Sequence, residues 1–227
     1  MIALSEEKDS SFTNPLFSKP LRAIASLVSY VFHPLFIPVI FTYYLAFINP
    51  IFFTGFTDKA KLYVLVWVFI NMVFFPAVSV LLLKAVGFID SIFLKTQKDR
   101  IIPYIAANIF YFWMFLVFHN NTMIPVVITS FVLGVFLTSS CALILNIYFK
   151  ISMHAMGMGG LVGILLIILF KTGFSVGFSP ALIIVIILSG IVCTSRLIIS
   201  DHSSKEIYAG FLVGVVFQYV AAMYVIS

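Results

Sequence analysis

Long apolar runs separated by short polar segments make up most of this chain, and this pattern constrains its fold more than any other feature. Of the 227 residues, 63% are hydrophobic and only 9% are charged. A soluble globular domain carries about 25% charged residues, so this chain has too few to cover a surface that faces water. The surplus apolar surface must face lipid. This excludes a soluble enzyme, a nucleic-acid-binding domain and a disordered chain.

The apolar runs are long enough to form membrane-spanning helices, each of which needs about 20 residues. Pro34 and Pro38 interrupt the first run, so that run is either a span or a re-entrant or surface helix. We therefore expect an all-α, polytopic transmembrane helix bundle of six or seven spans, with a polar N-terminal tail (1–22) before a single transmembrane domain (23–227). The seven candidate helices are about 26–48, 61–84, 101–118, 123–149, 155–171, 180–197 and 206–226.

Basic residues are concentrated on one side of the predicted bundle. With seven spans, the tail and three loops share a side that holds ten of the 13 basic residues: Lys8, Lys19, Arg22, Lys84, Lys95, Lys98, Arg100, Lys150, Arg196 and Lys205. The positive-inside rule assigns such a side to the cytoplasm. If four of these cations belong to a functional site instead, the basic residues that report on orientation number six on this side against three on the other, and both orientations stay open.

Three segments on this basic side carry reactive side chains. Because an even number of crossings separates them, they lie at the same membrane face and can meet in one cavity. Cations, histidines and a carboxylate near one face are costly unless they pair or bind a ligand, and phosphate is the complementary ligand. The residues are Lys95, Lys98 and Arg100 before the third span, Ser152 and His154 at the fifth, and Arg196, His202 and Glu206 between the last two.

His202 and Glu206 form the most specific pair among these residues. A spacing of four places both side chains on one helical face. There the carboxylate can accept the proton of one imidazole nitrogen and leave the other nitrogen as a free lone pair, as an attacking histidine requires. The same face continues through Gly210 and Gly214, on which another helix can pack closely, so the pair is predicted to point into the bundle. Arg196 adds a planar cation suited to phosphate.

This pattern resembles the type-2 phosphatidic acid phosphatase superfamily, which comprises membrane lipid phosphatases and some soluble haloperoxidase relatives. The third signature of that superfamily is Ser-Arg, five residues, His, three residues and Asp. Ser195-Arg196, His202 and Glu206 match its spacing, with Glu in place of Asp.

The other two signatures are matched less completely. Ile151-Ser152-Met153-His154 keeps the Ser and His of the second signature, Pro-Ser-Gly-His. The first signature is Lys, six residues and Arg-Pro. Lys95, Arg100 and Pro103 keep only its residue types and their order, and Lys98 is the alternative lysine.

The resemblance implies a metal-independent, two-step phosphoryl transfer with no cofactor. His202 would attack phosphorus to form a phosphohistidine, Glu206 would orient it, and His154 would protonate the leaving alkoxide and then activate water. The substrate would be a lipid-linked phosphate or diphosphate monoester, in the plasma (inner) membrane of a bacterium. The non-bridging oxygens would be held by Lys95, Arg100, Ser152 and Arg196.

Other interpretations predict different features. A non-enzymatic transporter or channel for an anion predicts a polar path across the bilayer and often repeated halves, and a magnesium-dependent prenyl transferase predicts Asp-rich pairs; the sequence shows neither. A metal site that includes Asp201 is disfavoured, because the surrounding Arg and Lys would repel a cation. His33, next to Pro34, is interpreted as a structural residue at a helix kink.

Overall fold

The structure is a computed structural model that describes residues 17–94, 96–172, 178–199 and 202–226. Within these ranges the chain is helical and contains no strand. Six of these helices are each long and apolar enough to cross a membrane, which confirms an all-α bundle with six candidate spans. Apart from a single 3-10 turn at Pro50–Phe53, the helices of the described residues are α1 (Lys19–Val31), α2 (Ile37–Ile48), α3 (Asp58–Ala85), α4 (Gln97–His119), α5 (Val126–Leu145), α6 (Met153–Thr172), α7 (Phe178–Ile198) and α8 (Ser204–Val225), of which α3 to α8 are the candidate spans.

The first apolar run does not form the single helix predicted at 26–48. Helix α1 ends at Val31 and α2 begins at Ile37, with a turn between them in which the Phe36 N–H donates to the His33 carbonyl. Pro34 favours this break, because a proline disfavours helical geometry in the residue before it. Pro38 lies in the first turn of α2, where its missing N–H costs no hydrogen bond. The described residues therefore contain six candidate spans, and α1 and α2 are each shorter than the roughly 20 residues that a continuous span needs.

Helix α6 packs directly against α8 through small residues. A Cβ atom on Gly214 would overlap the carbonyl oxygen of Met156, and one on Gly159 would overlap that of Phe211. The predicted close-packing face at Gly210 and Gly214 is therefore confirmed. Both helices run in the same direction, so this contact places the start of α6 beside the start of α8.

Hydrogen bonds tie the same end of the bundle together. Gln97, at the start of α4, donates through Nε2 to the Asn146 carbonyl at 2.9 Å, and Asn146 donates through Nδ2 to the Gln97 carbonyl at 2.8 Å. Farther into the bundle, Gln218 of α8 donates to the Ser130 carbonyl of α5 at 3.2 Å. These side chains use polar groups to fix neighbouring helices where water is excluded. The two bonds between Gln97 and Asn146 hold the first turn of α4, which carries Arg100, against the connection between α5 and α6.

Candidate functional site

The three reactive segments predicted to share one face are hydrogen-bonded to one another. Arg100 Nη1 donates to the Ile151 carbonyl at 3.3 Å, and His202 Nδ1 lies 3.0 Å from the Lys150 carbonyl. Residues 150 and 151, between α5 and α6, thus contact both of the other segments. These contacts agree with the prediction that an even number of membrane crossings separates the three segments and leaves them at the same face.

A cavity of about 230 Å³ lies where these segments meet. Its wall near the helix starts is polar and cationic, whereas Ala107, Phe131, Val135 and Met156 make much of its wall apolar. Among the described residues, the arginines and histidines that line the cavity are His33, Arg100, His154, Arg196 and His202, and the tyrosines Tyr104 and Tyr111 line it as well.

His202 is held in its neutral form. Because a carbonyl oxygen can only accept, the Nδ1 atom facing Lys150 must carry the hydrogen, and the lone pair of the neutral ring is then on Nε2. Only 9% of the residue is exposed. Burial lowers the pKa of His202 to about 3, and the charges of Arg196 and Arg100 contribute, because both repel a protonated ring. The ring is therefore unprotonated at neutral pH.

Glu206 has two contacts rather than the single one predicted. Its Oε2 atom lies 3.5 Å from His202 Nδ1, farther than the Lys150 carbonyl. The same oxygen accepts a 2.7 Å hydrogen bond from the Ser203 N–H, and Ser203 Oγ accepts in return from the Glu206 N–H. This capping box satisfies N–H groups at the start of α8. Glu206 therefore fixes the helix start and places a negative charge beside His202, while Lys150 supplies the closer acceptor.

His154 lies in the first turn of α6 and is oriented by α1. Its Nε2 atom is 3.0 Å from the Ser29 carbonyl, so Nε2 carries the hydrogen and Nδ1 keeps a lone pair in the neutral ring. The neutral ring can accept a proton on Nδ1 as a base, and the protonated ring can then donate that proton as an acid. The first turn of a helix is electropositive and disfavours that protonation, whereas a bound anion would favour it.

Two arginines bring permanent positive charge to the cavity. Arg100 uses its Nε and Nη1 atoms to donate to the Leu94 and Ile151 carbonyls, at 2.9 and 3.3 Å, and these bonds fix the plane of its guanidinium. Arg196 approaches from the end of α7, and its charge lowers the pKa values of both His33 and His202. This arrangement can bind an anion between a nucleophilic imidazole and a second imidazole.

Ser152, which the sequence predicts as a phosphate ligand, does not lie at the cavity. Ser152 is fully buried, does not line the cavity, and its carbonyl faces Gly210 of α8. Its packing against α8 draws it behind the cavity wall. Lys95 and Asp201 lie outside the described residues. In the part of the chain that is described, no group of three or more His, Cys, Asp and Glu side chains is arranged to hold a metal ion.

His33 is the residue of this site that the sequence interpretation missed. It lines the cavity, and its ring centroid lies 5.3 Å from that of His154, with the two rings nearly perpendicular. The available signal was a titratable side chain within an apolar run, which in a membrane protein indicates function by default. The adjacent Pro34 favoured the interpretation as a kink.

Comparison of the chain with protein-family models, with curated proteins and with solved structures finds no match.

Proposed function

We propose that this membrane protein is a phosphatase that hydrolyses a lipid-linked phosphate or diphosphate monoester through a phosphohistidine, without a metal. One observation supports this proposal above all. His202, His154 and Arg196, from segments far apart in the chain, line one cavity together with Arg100. Their order and spacing also resemble the signatures of the type-2 phosphatidic acid phosphatase superfamily.

In the first step, the Nε2 lone pair of His202 attacks phosphorus and forms a P–N bond. For a diphosphate, the bond from the attacked phosphorus to the bridging oxygen breaks and the lipid monophosphate leaves. For a monophosphate ester, the P–O bond to the lipid breaks, and its electron pair leaves with the alkoxide oxygen. His154, protonated on Nδ1, supplies the proton that makes this oxygen an alcohol. Glu206 lies 3.5 Å from His202 Nδ1, where its charge stabilises the positive ring of the phosphohistidine.

In the second step, water replaces the histidine. The Nδ1 atom of His154, unprotonated after the first step, takes a proton from water, whose oxygen attacks phosphorus. The P–N bond breaks, and its electron pair returns to His202 Nε2. Arg100 and Arg196 stabilise the non-bridging oxygens through both steps, because phosphoryl transfer spreads charge over those oxygens.

The cavity wall supports an amphiphilic substrate. On α4 the lining runs from Arg100 through Tyr104 and Ala107 to Tyr111. At a rise of about 1.5 Å per residue, the eleven steps from Arg100 to Tyr111 correspond to roughly 16 Å along the helix. The wall passes from a cation to apolar surface, which suits a phosphoryl group attached to a hydrocarbon chain better than a free sugar phosphate. The bacterial inner membrane is the location that the family resemblance implies.

The test is phosphate release by the purified protein from phosphatidate, phosphatidylglycerol phosphate and an isoprenoid diphosphate, each in the presence of EDTA. We expect hydrolysis of at least one of these substrates, and its loss in His202→Ala and in His154→Ala. His119→Ala is the matched control, because His119 lies at the opposite end of α4 among aromatic rings. Phosphate release that survives both site substitutions would overturn the proposal. Transport of a lipid phosphate without hydrolysis would favour the transporter instead.

A further inference from the structure

His33 occupies a position in the cavity that the proposed steps do not use. It lies in the turn between α1 and α2 and approaches His154 edge to face, with ring centroids 5.3 Å apart. Its other ring neighbour is Phe36, at 6.3 Å. The break at Pro34 thus brings a third imidazole to a cavity already lined by His154 and His202.

The hydrogen-bond partner of His33 determines which ring nitrogen carries its hydrogen. The Leu35 N–H donates to Nδ1 at 3.3 Å, so Nδ1 is the acceptor and the hydrogen of the neutral ring is on Nε2. Within the described ranges no protein atom accepts from this Nε2–H. His202 and His154 differ, because each donates its hydrogen to a main-chain carbonyl.

The ring is also kept uncharged. Burial lowers the pKa of His33 to about 4, and the positive charge of Arg196 contributes. The charged and titratable groups that face it across the cavity are Arg196 and His154. At neutral pH the ring therefore offers a hydrogen-bond donor without a positive charge.

We propose that His33 binds a non-bridging oxygen of the phosphoryl group through its neutral Nε2–H. The inference rests on the proposed function, because it places the phosphoryl group in this cavity. A lysine or arginine here would put another fixed charge beside His154 and hinder the protonation that an acid requires. A neutral donor holds the oxygen without that effect, as neutral histidines do at other oxyanion sites.

The experiment uses two replacements that keep different properties of His33. His33→Gln keeps an N–H donor at a similar distance from the backbone, whereas His33→Phe keeps a ring beside His154 and Phe36 but has no donor. Binding of hexadecylphosphonate, whose C–P bond offers no P–O ester bond to break, is measured by calorimetry on the full chain in detergent at pH 7. His119→Phe controls for the general effect of this replacement. Unfolding temperature and size-exclusion profile show that each variant is folded.

We expect His33→Phe to weaken binding about 10-fold or more, the usual effect of losing a hydrogen bond to a charged group. His33→Gln should bind at least about 5-fold more tightly than His33→Phe. If His33 only packs at the kink, the order reverses, since the ring is then the property that matters. A reversed order, or equal binding by the two variants, overturns the proposal.

Two further readouts separate this inference from the proposed function. A wild-type chain that binds the phosphonate, shows the expected difference between the variants and hydrolyses no lipid phosphate would refute the phosphatase but keep His33 as a phosphoryl ligand. Hydrolysis by the wild-type chain, without that difference between the variants, would refute only the proposal that His33 is a phosphoryl ligand. In an active enzyme, the pH dependence of kcat/KM should keep its shape in His33→Gln, because a neutral donor does not titrate. Loss of one limb of this pH profile in His33→Gln would overturn the role of His33 as a neutral donor.

Discussion

The contact between α6 and α8 makes a strong prediction at Gly214. In Gly214→Ala the added Cβ atom would overlap the carbonyl oxygen of Met156 and lie 2.7 Å from the backbone nitrogen of Gly160. Both neighbours are backbone atoms of a helix and cannot rotate away as a side chain could. The helices must therefore separate, and overpacking of this kind costs about 1–3 kcal/mol.

Gly190 provides the matched control for this substitution. It lies within α7, and a Cβ atom added there would have no neighbour within 4 Å. Both substitutions gain the same helix propensity, up to about 1 kcal/mol, so this contribution cancels between them. The difference of about 1–3 kcal/mol that remains is the cost of the overlap.

Thermal unfolding of the two variants in detergent measures this difference. At about 2–4 °C per kcal/mol for a chain of this size, Gly214→Ala should unfold about 2–12 °C below Gly190→Ala. If the two variants unfold at the same temperature, or if Gly214→Ala is the more stable, the reasoning about direct backbone contact is refuted. The same change should displace the start of α8, which follows His202, from the start of α6, which carries His154.

Two other predictions concern the histidines. His154→Ala should slow hydrolysis of alkyl phosphates more than that of aryl phosphates with good leaving groups, because only the alkoxide needs a proton donor; equal losses in steady-state kinetics would contradict the acid role. Lowering the pH from 7.5 to 5 should lower the unfolding temperature. His33 and His202 have pKa values of about 4 and 3 in the folded chain, so between pH 6.5 and 4 only the unfolded chain gains their protons. At pH 5 each of these two residues lowers the free energy of unfolding by up to about 2 kcal/mol relative to pH 7.5. His33→Gln should therefore show a smaller drop in unfolding temperature than wild type in the same scan.

Composition and helical spacing were sufficient to predict much of this molecule. The low charge content and the length of the apolar runs determine an all-α membrane bundle, because lipid leaves the backbone few other ways to satisfy its hydrogen bonds. The order of those spans leaves an even number of crossings between Arg100, His154 and His202, and therefore brings all three residues to one end of the bundle. The glycine face of α8 also follows from spacing alone, since residues four apart share a helical side.

The tertiary structure decided how the site is built. Lys150 approaches His202 with a main-chain carbonyl, a group that every residue has and that no sequence motif marks. His33 reaches the cavity because the chain turns at Pro34 and α1 packs against α7, and that direction depends on contacts between segments far apart in the chain. Ser152 is carried behind the wall by its packing against α8. Residue types and their spacing determine which groups share a membrane face, but only the packing of helices and loops determines which of their atoms meet.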